Sequence, residues 1–153
     1  MVQGKWFAPG TDAPEGYDIR KSVFQSGRDS LDALSWNVVV YQDGVPAATG
    51  RIWWDDGAYR LGGIGVLPSH RRRGLGDLVL RLLLFKAQSH FAREVRLSSP
   101  SDCADFFSRL GFRRDPALAA EGGTAEMLLP GDQIDLDTCK NCHRKDCPSR
   151  KEA

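Results

Sequence analysis

The chain has 153 residues, 41% of them hydrophobic and 27% charged, with a formal net charge of +1. This is the composition of a globular domain large enough to bury its own core; it excludes a disordered chain, and the charge gives no overall pull toward nucleic acid or a membrane surface. The longest apolar run, residues 78–85, is broken by Arg81 and is too short to span a bilayer, and Met1-Val2-Gln3-Gly4-Lys5-Trp6 has no apolar signal core, so the expected location is the cytoplasm.

Pro9-Gly10-Thr11 and Pro14-Glu15-Gly16 read as an irregular entry, followed from Asp18 by a short helix with Ile19, Val23 and Phe24 on one face and Ser26-Gly27 as its stop. Residues 36–67 read as an antiparallel meander. Segments 36–41, 45–54 and 59–67 are rich in strand formers, with Asp43-Gly44 and Asp55-Asp56-Gly57 as the turns. From Gly74 to about His90 the period becomes helical, and Leu75, Leu78, Val79, Leu82, Leu83 and Phe85 make an apolar arc wide enough to demand burial against a sheet. Residues 94–98 form a short strand. Residues 102–110 form a helix with Asp102 as N-cap and Gly111 just past its end, and residues 124–129 form a last strand. The expected fold is mixed α/β (α+β): a meander, then helix, strand, helix, strand around a central mixed sheet. The expected boundary divides a domain of residues 1–130 from an acidic linker and Cys-rich basic tail, residues 131–153.

The stretch that carries chemistry is Ile64-Gly65-Val66-Leu67-Pro68-Ser69-His70-Arg71-Arg72-Arg73-Gly74-Leu75-Gly76-Asp77. A strand ends at Pro68, two glycines without Cβ atoms let the backbone approach a bulky anion, and a helix begins at once. The unpaired N–H groups and dipole of that helix favour negative charge, and the arginines before the glycines add planar donors for phosphate oxygens. Together these parts describe a diphosphate cradle. A phosphate loop with Gly-Lys-Ser/Thr is excluded; a dinucleotide fingerprint would need Gly or Ala at Val79 and an acid where Ser98-Ser99 stand. Taken alone, Arg71-Arg72-Arg73 would be a solvated basic run; the glycines and the apolar helix behind it favour the cradle.

The pattern Arg71-x-x-Gly74-x-Gly76 after Ile64-Gly65-Val66-x-Pro68 resembles the acetyl-CoA motif of the GNAT N-acetyltransferases. Ala104-Asp105-Phe106-Phe107-Ser108-Arg109-Leu110-Gly111-Phe112 resembles that family's Ala-x-x-Phe-Tyr-x-x-Leu-Gly-Phe helix end, and Ile19-Arg20-Lys21-Ser22-Val23-Phe24 resembles the first helix of one branch. The resemblance covers roughly residues 17–130. It implies a GNAT fold and transfer of acetyl from acetyl-CoA, as cosubstrate, to an amine by direct attack on the thioester. It further implies that backbone groups of Ile64 and Val66 pair with the pantetheine arm. The turn Arg71, Arg72, Arg73, Gly74, Leu75, Gly76, with Asp77 opening the helix, is implied to hold the pyrophosphate. The family's usual Tyr is Phe107 here, its usual Asn is Pro100, and the region of its usual carboxylate reads Val95-Arg96-Leu97, so no catalytic residue is assigned.

His70 flanks the anion site and His90 ends a helix, neither with a partner at ligand spacing; Asp55 and Asp56 are turn formers, and Cys103 is a packing residue. One of the pair Trp53-Trp54 must point to the sheet's other face and could line an acceptor groove. In the tail, Cys139-x2-Cys142-x4-Cys147, with His143 adjacent, brings three thiolates and an imidazole together and offers zinc or an iron–sulfur cluster three certain ligands where four are needed. Two other readings stand beside the enzyme: a non-catalytic acyl-CoA-binding regulatory module, and a metal-tail adaptor on the same scaffold. The acceptor stays open among small amine, antibiotic, amino acid and protein N-terminus, as does a homodimer.

Overall fold

The computed structural model of the chain describes residues 1–115 and 124–136. Its elements are β1 (Val2–Phe7), α1 (Pro14–Phe24), β2 (Trp36–Gln42), β3 (Val45–Asp55), β4 (Ala58–Val66), α2 (Leu75–Ser89), β5 (Glu94–Pro100), α3 (Ala104–Ser108), β6 (Arg113–Arg114) and β7 (Thr124–Pro130). The strands form one sheet in the order β1-β2-β3-β4-β5-β7-β6, antiparallel everywhere except between β4 and β5. The meander turns where Asp-Gly predicts. Asp43 and Gly44 (φ 51° and 82°), and Asp56 and Gly57 (φ 46° and 84°), take the paired positive φ of a two-residue hairpin turn.

Several local expectations are corrected. Residues 2–7, left without structure in the sequence reading, form an edge strand paired along β2 from Val2↔Gln42 to Phe7↔Asn37. Its residues are mostly exposed, so no hydrophobic alternation announces it. Helix α1 starts at Pro14 rather than Asp18, because proline in the first turn lacks only an N–H that would have no partner there. The expected helix 102–110 is a 3-10 turn, Ser101–Cys103, followed by the five-residue α3; Asp102 lies inside that turn and does not cap α3. Gly111, at φ 101°, takes the left-handed position beyond α3. The packed body also runs past Pro130: Ile134 is buried in the core, and Arg81 Nη1 donates to the Leu136 carbonyl at 3.2 Å.

Helix α2 covers one sheet face, burying Leu75, Val79, Leu80, Leu83, Leu84 and Ala87 against Val38, Val40, Ala48, Ile52 and Leu61. Phe85 is exposed, so the apolar arc is wider than the face that packs. The contact is closest at Gly50 of β3, where a Cβ would lie 2.6 Å from Val79 Cγ1 and 3.0 Å from Leu83 Cδ1. Helix α1 lies on the opposite face over β2–β4. Among the described residues no helix is long and apolar enough to cross a membrane.

Gly50→Val pushes a branched side chain into that contact. Overpacking of this kind costs about 1–3 kcal/mol, and a lower urea midpoint at an unchanged m-value is the expected readout.

Candidate active site

β4 and β5 pair only at Tyr59↔Val95, Arg60↔Arg96 and Leu61↔Leu97. Just beyond, Thr49 and Arg51 of β3 face Gly65 and Gly62 of β4, so β4 carries an extra residue, and Gly63 sits there at φ 59°. A bulge bends its strand and ends local pairing. The rest of β4 leaves β5 and opens a gap in the sheet. The Leu67 N–H donates to the Ala47 carbonyl on the β3 side at 2.9 Å. By alternation, the N–H and C=O of Val66 point away from β3, into the gap. The Val66 carbonyl accepts Arg71 Nε at 3.1 Å. The Ile64 and Val66 side chains both lie on the α2 face, near Gly50 and Gly76 respectively.

The turn from β4 to α2 begins with a single 3-10 turn, Pro68–His70, and leaves Arg71, Arg72, Arg73 and Gly74 exposed. Arg72 and Gly74 are left-handed, at φ 65° and 77°. Gly74 is the N-cap of α2 and no side chain caps it; the Leu78 N–H bonds back to the Gly74 carbonyl at 3.0 Å. The N–H groups of Leu75 and Gly76 therefore lack intrahelical acceptors and sit at the positive end of the dipole. A Cβ on Gly74 would meet nothing within 4 Å, and one on Gly76 would lie 3.7 Å from Val66 Cγ2 and 3.9 Å from Phe106 Cζ. The end of β4, the basic turn and the start of α2 thus meet at one end of the gap. Asp77 is bound to Arg81 at 2.8 Å, a helix i,i+4 pair.

At the fork where β4 and β5 part, the structure supplies a carboxylate that reading β4 and β5 alone could not find. Glu126 of β7 is the cross-strand partner of Ser98, which donates to its Oε2 at 2.6 Å. Arg60 of β4 reaches its other oxygen at 2.6 Å, as an ion pair rather than an aligned hydrogen bond. Burial works to raise the Glu126 pKa, but the ion pair with Arg60, the hydrogen bond from Ser98 and the charge of Arg96 outweigh it and hold the pKa below the ordinary value. Glu126 is thus an ionised, paired group. Its side chain, with those of Arg60 and Ser98, lies on the face opposite α2. Trp53 is on that face too, 5.3 Å from the Arg51 guanidinium, while Trp54 packs on Tyr59. Phe107 is buried between Phe106 and Phe112.

His90 belongs to an aromatic cluster with Trp36 and Tyr59. His70 Nδ1 lies 3.0 Å from the Ser69 hydroxyl. Cys103 is exposed, its pKa raised by burial of the thiol first and by Asp102 second. Cys139, Cys142, His143 and Cys147 lie outside the described residues, and no cluster of three or more ligating side chains occurs among those described.

Comparison with known sequences shows the family, and comparison with solved structures shows the fold. A GNAT acetyltransferase domain profile matches residues 35–114. An uncharacterised N-acetyltransferase of Bacillus subtilis, YjcF, is 32% identical over 107 residues, covering 65% of this chain and 76% of that protein. The chain belongs to the GNAT family. It is an N-acetyltransferase. Its fold matches Escherichia coli ElaA with a TM-score of 0.73 at 16% identity, over 84% of this chain and 99% of that one. A GNAT acetyltransferase from Elizabethkingia anophelis, solved with acetyl-CoA bound, matches with a TM-score of 0.67 at 15% identity, over 84% and 97% of the two chains.

Because Glu126 has a depressed folded pKa, the stability it contributes is complete above the ordinary value of 4.5 and is lost as pH falls through the lower folded value. Glu126→Gln is expected to be less stable than the parent at neutral pH. Urea titrations at stepped pH should show the difference closing at low pH; a constant gap refutes the ion pair.

Proposed function

We propose that the chain transfers acetyl from acetyl-CoA to an amine. The observation that carries this reading is the continuity of the gap along β4 with the uncapped, arginine-flanked start of α2. The cosubstrate fits these residues on chemical grounds. A pyrophosphate needs N–H donors and positive charge, which Leu75, Gly76 and the Arg71–Arg73 run offer, and Gly74 has open space where a side chain would stand. The amide groups of pantetheine need strand-like partners, which Val66 offers and Ile64 offers by the same alternation.

In this reading the acceptor nitrogen attacks the thioester carbonyl directly. The Val66 N–H polarises that carbonyl, and binding of both substrates across the gap supplies proximity. No hydroxyl stands at Phe107 to protonate the leaving thiolate, so the proton lost by the acceptor nitrogen passes to water and the thiolate takes one from water as the C–S bond breaks. Glu126, ionised and held by Arg60 and Ser98, sets charge at the fork rather than taking a proton. General acid–base catalysis usually contributes about 10²–10⁴-fold, so a modest rate is expected. The dependence of kcat/KM on pH should rise with deprotonation of the acceptor amine and show no falling limb from a tyrosine.

The test is calorimetry with coenzyme A and acetyl-CoA, paired with thiol release over a panel of amines. Arg71→Ala combined with Gly74→Glu is expected to weaken binding of both at least about tenfold, or about 1.4 kcal/mol, with the fold retained by circular dichroism. Unchanged affinity in that variant would refute the cradle.

A further inference from the structure

At the far end of α2 the aromatic side chains of four strands meet in one row. Trp54 stands against Tyr59 at 5.0 Å between ring centroids, Tyr59 against His90 at 5.9 Å, and His90 against Trp36 at 6.2 Å. Trp6 continues it, 6.4 Å from Trp36, and the Lys86 ammonium lies over both indoles, 4.0 Å from Trp36 and 4.5 Å from Trp6. The inner rings rest on the core, but the row also reaches into the open. Trp54 is 57% exposed, and Phe91, next to His90 in the chain, is 92% exposed. The length of α2 sets this row about 22 Å from the cradle at the start of the helix, so it belongs to neither the gap nor the basic turn.

The backbone of Phe91 is strained. Its φ of 56° is the left-handed conformation that closes helices and ordinarily falls to glycine. The hydrogen bonds are those of that closure: the Phe91 N–H donates to the Gln88 carbonyl and the Ala92 N–H to the Ala87 carbonyl, each at 3.0 Å. A bulky ring at this position burdens the turn and gains nothing from the core of its own chain. Charge frames the same surface. Asp55 and Asp56 stand exposed on the hairpin next to Trp54, and no described residue pairs with either. At the other end Lys86 meets ring faces and makes no ion pair among the described residues, so its charge is not neutralised.

We propose that this surface binds a second copy of the chain across a two-fold axis. The occupant follows from the order of features along the row: acid at one end, base at the other, rings between. Turned end for end, a second copy sets its Lys86 against Asp55 and Asp56, and its own acids against Lys86, with rings on rings in the middle. A two-fold contact requires such self-complementarity, because each side meets an identical patch. A purely basic or purely acidic partner would satisfy only one end. Trp54 and Phe91 lose water on both copies, and aromatic side chains supply much of the energy of such contacts. Both cradles stay clear of the contact, so the pairing does not depend on the acetyl-transfer reading.

The experiment follows the mass of the full chain by sedimentation velocity across a concentration series. Wild type is expected to pass reversibly from 16.9 kDa to twice that mass. Phe91→Gly removes the ring and relieves the turn, so it should weaken self-association at least about tenfold while raising the urea midpoint. A ring that served only its own chain would lower that midpoint when removed and leave self-association alone. Asp55→Lys and Lys86→Glu, each by itself, should also weaken self-association at least about tenfold. Mixing those two variants should restore a dimer, because both contacts across the axis then join opposite charges. Affinity for coenzyme A should stay the same throughout. A wild-type chain that remains monomeric overturns the inference and leaves the patch to a different protein. Self-association indifferent to Phe91→Gly and to both charge reversals, or no recovery on mixing, overturns it too.

Discussion

A strand that leaves its neighbour in the middle of a sheet exposes backbone groups that must find partners elsewhere. β4 does this after Leu61, and the rest of the candidate site is organised around that exposed edge. The bulge at Gly63 turns the strand out, and the 3-10 turn from Pro68 carries the chain round. Helix α2 then returns its uncapped start to the same end of the gap, with Gly76 nearly touching Val66. The close approach of α2 to β3 over Gly50 fixes where that start sits. An edge that would be an aggregation liability in an ordinary sheet is protected here by its interior position.

The two faces of the sheet handle polarity in opposite ways. Under α2 the contact is almost wholly apolar, and its stability comes from close packing. Under α1 the sheet buries two arginines and one aspartate, Arg20, Arg51 and Asp32, with the exposed Asp29 paired to Arg51 at the edge. Taking such charges out of water costs several kcal/mol per ion, and pairing offsets the loss only with good geometry. Asp29 illustrates the pairing: the hydrogen bond from Arg51, its largest influence, together with that guanidinium's charge and the Leu31 N–H, outweighs burial and holds its pKa below the ordinary range. A cluster that merely held α1 to the sheet could be replaced by hydrophobic side chains. Here the guanidinium nitrogens that lack hydrogen-bond partners, Arg20 Nε, Arg20 Nη1 and Arg51 Nε, are shut away from solvent, and the two guanidinium groups stack on Tyr17 and Trp53, each at 5.3 Å.

Local chemistry made much of this legible. Asp-Gly at both hairpins forces positive φ whatever surrounds it, and a run such as Leu75 to Ala87 has no way to sit except with its apolar face on a sheet. The strand–Pro–basic turn–glycine–helix order likewise lies within a single stretch of chain, and the proposed anion cradle is read from it. The edge strand β1 was not legible, because its partner β2 defines it and its own residues do not alternate. Nor was the bulge, since Gly62-Gly63 reads the same in a straight strand as in a bent one.

The sequence by itself determined the family and, after β1, most of the elements and their order, because each rests on residues that act on their immediate neighbours through backbone conformation and periodic burial. Only the tertiary structure decided which distant charges meet. Glu126 reaches Ser98, 28 positions away, through an antiparallel register. Arg51 reaches Asp29 and Arg20 reaches Asp32 because α1 and the segment after it fold over β3. Such pairings are set by strand register and helix docking, which depend on the whole core at once, so no short stretch of sequence contains them.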